Sequence, residues 1–167
     1  MKDLRWAAAI ATILGCLQTA GADPFCIGIR AVVADARNAF DDLRGEQTDQ
    51  KRSTVEPYYT IDYFAARGWP EGAQTCYIER RDEPTRDGHR FPNYYCEYPV
   101  KAGTKAKALR RLAGRIAACV KGASKPVADD PDNIGGMLSW HERDVHFSAF
   151  AGPSSPNIRV LIQANDR

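Results

Sequence analysis

The sequence predicts an α+β domain: an antiparallel sheet of about five to six strands packed on two amphipathic helices, with two disulfides. Three observations predict it. Two segments repeat apolar residues at three- and four-residue steps. Six short runs are rich in β-formers, and the overall order is α-β-β-β-α-β-β-β. Four cysteines are shared between the two kinds of segment. Strands grouped in threes, rather than alternating singly with helices, indicate antiparallel pairing with the helices gathered on one face.

Asp23-Pro24 opens the first helix, because aspartate caps and proline is tolerated where its missing N–H would be unpaired anyway. Phe25, Ile29, Val32, Val33, Ala36, Phe40 and Leu43 continue the apolar stripe, and Gly45 is the expected stop. Glu46 to Ser53 is polar and reads as a loop. Val55 to Phe64 reads as a strand, either at an edge or starting late because of Pro57, with Tyr59, Ile61 and Tyr63 on one side.

Gly68-Trp69-Pro70-Glu71-Gly72 is a turn. A hairpin follows, with strands near Gln74–Arg80 and Phe91–Tyr98 and a tip at Asp87-Gly88. Cys76 and Ile78 share one side of it, as do Tyr94, Cys96 and Tyr98. In the second helix Thr104 is the expected cap, Leu109, Leu112, Ala113, Ile116 and Val120 form the stripe, and Gly122 ends it. Ser124 to Gly136 reads as a polar linker. Strands at Met137–His141, Val145–Phe150 and Ile158–Ala164 complete the chain.

The start of the chain carries a different signal. Lys2 and Arg5 precede an apolar run from Trp6 to Leu17, and the small residues Thr19-Ala20-Gly21-Ala22 follow. This order describes a secretory signal peptide, residues 1–22, cleaved after Ala22 to leave 23–167 as a single domain. Ile13-Leu14-Gly15-Cys16 resembles a lipobox, and a cut there would make Cys16 an acylated N-terminus. Either cut predicts a periplasmic or secreted protein. The apolar run is far below the ~20 residues of a membrane-crossing helix, so no transmembrane span is expected.

Both cuts leave Cys26, Cys76, Cys96 and Cys119. An even count in an exported chain points to two disulfides. Cys26–Cys119 would staple helix to helix and Cys76–Cys96 would lie within the hairpin, although strand register equally allows Cys96 to reach Cys119. Taking Lys2, Arg5 and Asp3 from the 23 basic and 21 acidic residues leaves the mature chain at +1. Such a balance does not describe a nucleic-acid-binding polycation.

Catalytic patterns are sparse. No G-x-S-x-G occurs, and His89 falls in a charged turn. Asp41-Asp42 and Asp129-Asp130 are adjacent pairs that read as solvated charges. No glycine-rich phosphate loop follows a strand. Trp140-His-Glu-Arg-Asp-Val-His-Phe147 is not H-E-x-x-H, since on a helix its two histidines would stand about 140° apart. A hairpin with a four-residue loop, Glu142 to Val145, would instead set His141 opposite His146 and Trp140 opposite Phe147. That makes His141 and His146 weak metal candidates lacking a third ligand. No cofactor is expected.

The second helix offers a binding signal. From Lys101 to Lys125 there are eight basic residues and no acid. Lys107, Arg110, Arg111, Arg115 and Lys121 fall opposite its apolar stripe and would form a cationic ridge, suited to an acidic protein or an anionic envelope component. All seven tyrosines lie between Tyr58 and Tyr98, and Tyr58, Tyr77 and Tyr95 occupy outward positions suited to recognition.

Phe25-Cys26 opens a helix whose segment ends Asp-Asp-Leu-Arg-Gly45, a hairpin with one cysteine per strand follows, and Ala117-Ala-Cys-Val120 closes the second helix. Over Phe25 to Val120 this resembles small two-disulfide exported proteins of proteobacteria. The resemblance implies a periplasmic domain and carries no catalytic motif.

The functional expectation is therefore an exported, non-catalytic binding protein of the bacterial envelope, of the kind that inhibits or confers immunity to an envelope-acting enzyme. The alternatives are a small metal-dependent envelope enzyme using His141 and His146, and a lipoprotein assembly factor anchored through Cys16.

Overall fold

The computed structural model describes residues 23–54, 59–82, 92–101, 103–130, 132–140, 143–152 and 154–164. Residues 1–22, expected to be a signal peptide and including Cys16, together with Tyr58, His89 and His141, lie outside the described residues.

Helix α1 spans Pro24–Asp35. Asp23 caps it, its Oδ1 accepting the Phe25 N–H at 3.1 Å. Phe25, Ile29, Val32 and Val33 are buried along one side. The helix stops well before Gly45. A 3₁₀ turn, Ala36–Asn38, follows, and Ala39 and Phe40 both take left-handed backbone conformations at φ 54° and 59°. Asp35 imposes this reversal: its carbonyl accepts the Phe40 N–H at 3.0 Å and its carboxylate accepts the Leu43 N–H at 2.9 Å. Phe40 kept helical spacing in the sequence because it is buried, and here a loop buries it.

Four strands follow: β1 at Arg44–Arg52, β2 at Thr60–Ala66, β3 at Thr75–Arg81 and β4 at Asn93–Pro99. Helix α2 spans Lys105–Cys119. Thr104 precedes it without capping it, its hydroxyl donating instead to the Lys101 carbonyl at 2.8 Å. Four more strands complete the chain: β5 at Val127–Asp130, β6 at Asn133–Trp140, β7 at Arg143–Phe150 and β8 at Asn157–Ala164.

These make one antiparallel sheet of eight strands in the order β1-β2-β3-β4-β8-β7-β6-β5, not the five to six expected. The two additional strands are the edges, β1 and β5. The segments containing them have the polar composition of a loop and a linker. An edge strand with no core side needs no alternation of apolar residues, and β1 is exposed from Glu46 to Arg52. Its ladder to β2 is reinforced by Gln47 and Gln50, whose amides both donate to Asp62 Oδ1. The second half of the chain repeats the first, a helix and then four strands. The central pair β4–β8 thus relates two similar halves.

The helices do not cover the sheet evenly, as a simple two-layer packing requires. Helix α2 crosses β6 and β7, α1 approaches β6, and the 3₁₀ turn meets β8. Strand β1 is exposed along nearly all its length. The core beneath the helices gathers Phe25, Ile29, Phe40, Ile78, Tyr94, Leu109, Ile116, Phe147 and Ile162. Full burial of each large side chain contributes about 1.5–3 kcal/mol. Cys26–Cys119 joins the start of α1 to the end of α2, and Cys76–Cys96 joins residues directly opposite one another on β3 and β4.

Two disulfides fit an oxidising compartment, periplasmic or extracellular. Among the described residues no helix is long and apolar enough to cross a membrane.

Candidate binding surface

Helix α2 separates its residue types cleanly. Leu109, Ala113, Ile116 and Cys119 are buried, whereas Lys107, Arg110, Arg111, Arg115 and, two residues past the helix end, Lys121 are all exposed. No acidic residue sits in its first turn, so the positive end of the helix dipole adds to the lysines there instead of being neutralised. The ridge therefore forms at some cost to the helix that carries it.

Arg115 differs from its neighbours. Its guanidinium lies 4.0 Å from the Phe25 ring centroid and donates to both Asp23 carboxylate oxygens, at 2.9 and 3.2 Å. Glu71 Oε2 is 3.9 Å away. Arg115 thus ties α2 to the α1 cap and to the β2–β3 turn. Among the described residues no salt bridge engages Lys107, Arg110, Arg111 or Lys121, which remain directed to solvent.

The hairpin that carries His146 has a register different from the expected one. Strand β6 runs to Trp140 and β7 starts at Arg143, and His146 stands opposite Met137, while Phe147 stands opposite Gly136 and Trp140 opposite Arg143. His146 is exposed, and its other neighbour is Gln163 on β8. Among the described residues no group of three His, Cys, Asp or Glu side chains could hold a metal ion. Asp41 is engaged in ion pairs with Arg44, at 3.1 Å, and Arg80, at 2.5 Å.

The tyrosines divide between the two sides of the sheet. Tyr94 and Tyr98 face the helices, and burial raises both phenols above their usual range. Tyr94 donates its hydroxyl to the Gly68 carbonyl at 3.1 Å. Tyr63, Tyr77 and Tyr95 form a row on the other side. Tyr77 stacks on Tyr95 with centroids 5.0 Å apart, and Tyr63 lies 6.0 Å from Tyr77. Lys51 Nζ sits 5.0 Å from the Tyr63 centroid. Burial pushes the Tyr77 phenol up to about 12. Glu79–Arg81 and Glu97–Arg159 pairs flank the row, at 2.7 and 3.0 Å. Tyr77 and Tyr95 cover each other's ring faces, so this row strengthens the sheet as much as it offers a surface.

A cleft of about 430 Å³ opens beside β1, β2 and β3, lined by Gln50, Asp62, Phe64 and Arg80. Asp62 and Arg80 are cross-strand partners, yet each is engaged elsewhere, Asp62 by two glutamine amides and Arg80 by Asp41.

Sequence patterning did not single out Trp69 and Ile27 as surface residues. They are 50% and 53% exposed, two of the few large apolar side chains left open among the described residues. Ile27 falls between Cys26 and Gly28 on α1, off the apolar stripe, and that was the available signal. No protein-family model matches this chain, and comparison with curated proteins and with solved structures found no match.

Proposed function

We propose that this chain is an exported, non-catalytic binding protein of the bacterial envelope, one that inhibits or confers immunity to an envelope-acting enzyme. One observation carries the reading. Lys107, Arg110 and Arg111 stand exposed on a helix whose apolar side packs on the core, with Lys121 exposed just past its end, in a chain otherwise balanced in charge. A cationic surface on a rigid support steers an acidic partner and fixes its orientation. The Cys26–Cys119 staple keeps the helix from shifting on contact.

Partner capture from solubilised envelope tests this. Replacing Lys107, Arg110 and Arg111 together with glutamate should abolish capture, and raising salt should weaken capture by the unaltered protein. Arg115 is left in place because it is already paired with Asp23 and Glu71. Capture unchanged by the triple reversal removes the ridge as the binding surface.

A further inference from the structure

The turn joining β2 to β3, Gly68-Trp69-Pro70-Glu71-Gly72, is built rigidly and presents a large aromatic side chain to solvent. Gly68 and Gly72 take φ of 84° and 85°, conformations that glycine adopts without steric cost. Gly68 O accepts the Tyr94 hydroxyl at 3.1 Å, and the Ala73 N–H returns to Pro70 O at 3.3 Å. On either side, the Arg67 N–H donates to Leu43 O and the Gln74 N–H to Glu97 O, both at 2.7 Å.

Pro70 is buried against α1 at Gly28, so close that a Cβ on Gly28 would stand 2.5 Å from Pro70 Cα. That contact is flanked in sequence by Ile27 on one segment and Trp69 on the other. Scattered exposed apolar residues are ordinary on protein surfaces. These two differ because they border one tight backbone contact, and the segments that carry them meet α2 at Arg115. Glu71 of the turn and Asp23 of the α1 cap both meet Arg115, four residues along α2 from Arg111.

We infer that Trp69 and Ile27 are the apolar anchor of the docking surface, and that the ridge of α2 is its charged border. This rests on the acidic-partner reading above and names the partner's chemistry further: a protein with an apolar pocket rimmed by carboxylates. Tryptophan buried at the centre of an interface is a frequent source of binding energy, and a preformed turn avoids the entropic cost of ordering one. A lipid surface fits less well. It calls for an amphipathic segment that can insert, whereas the apolar stripe of α2 is buried and the turn is held at both ends.

A photo-reactive phenylalanine analogue placed singly at Trp69, Ile27 or Gln50 in the full chain, irradiated in cells of the encoding bacterium, tests this. Near-ultraviolet circular dichroism verifies that each variant is folded. Positions 69 and 27 should cross-link to one and the same protein, identified by mass, with acidic residues around the linked site. Position 50, on β1, should give at least tenfold less of that product.

Repeating the experiment with Lys107, Arg110 and Arg111 changed to glutamate separates the two ideas. Loss of at least tenfold in yield is expected if both hold. A cross-link that survives the reversal overturns the charged border while leaving the anchor. Capture that depends on the ridge, without any cross-link from 69 or 27, overturns the anchor alone. Cross-links only to phospholipid, only to a second copy of the chain, or equally from position 50 also overturn it.

Discussion

The Asp35 carboxylate accepts the Leu43 N–H at 2.9 Å and thereby closes the reversal between α1 and β1. The residue is only 7% exposed, and its Oδ1 is buried without a hydrogen-bond partner among the described residues. Burial raises its pKa above 3.8, outweighing the stabilising backbone hydrogen bond from Leu43. A raised folded-state pKa means that the native chain binds this proton more tightly than the unfolded chain does. Stability from Asp35 is therefore fully present below 3.8 and is lost as pH rises through the folded value. Asp35→Asn keeps an acceptor for Leu43 and removes the titration. Urea unfolding from pH 3 to pH 7 should show the wild type losing stability relative to the variant as pH rises. A difference independent of pH refutes the assignment.

Gly28→Ala tests the contact that seats the exposed turn. Its new Cβ would meet the Pro70 backbone at 2.5–2.9 Å, where no flexible side chain end can move aside. α1 and the turn must separate, so a loss of about 1–3 kcal/mol is expected from overpacking. Gly114→Ala is the control, since its Cβ meets nothing within 4 Å and alanine favours a helix. It should be neutral or stabilising in the same unfolding assay.

How far the sequence was legible depended on what each element buries. The stripe Leu109, Ala113, Ile116 declared α2 because a helix half in the core must repeat that way. The faces of Cys76, Ile78, Tyr94 and Cys96 followed from strand alternation, because one side of β3 and β4 faces the common core and the other does not. Glu46 to Arg52 carried no such pattern, since an exposed edge strand is held by backbone bonds to β2 and buries no side of its own. Phe40 and Leu43 misled for the opposite reason: apolar spacing reports burial, and a left-handed reversal buries Phe40 as well as a helix would. The ridge was visible as charge composition, whereas the commitment of Arg115 to Asp23 and Glu71 depends on a tertiary meeting of three segments.

Removing the two disulfides one at a time should rank them by the loop each closes. Cys26–Cys119 spans 93 residues and Cys76–Cys96 spans 20. Chain entropy assigns about 4.7 kcal/mol to the longer loop and about 3.3 kcal/mol to the shorter. Paired Cys→Ala variants compared by denaturant unfolding should therefore show the helix staple costing more. The reverse order would mean that residual structure in the unfolded chain, and not loop length, governs these bonds.

Tyr77 reports the packing of the tyrosine row at alkaline pH. Desolvation by burial is the main cause of its shift, opposed by the nearby charge of Arg159, and it carries the phenol from 10.0 to about 12. The native state thus holds this proton more tightly than the unfolded state. The stability it contributes is present below pH 10 and is lost as pH climbs toward 12. Titration of phenolate absorbance should show a late ionisation near pH 12 in the native protein, and Tyr77→Phe should remove that step. Arg159→Gln takes away the opposing charge and should move it later still, provided Tyr95 remains stacked on Tyr77. A Tyr77 phenolate that appears near pH 10 in the folded chain would mean that solvent reaches the row, and that its rings are free to receive a ligand instead of being spent on one another.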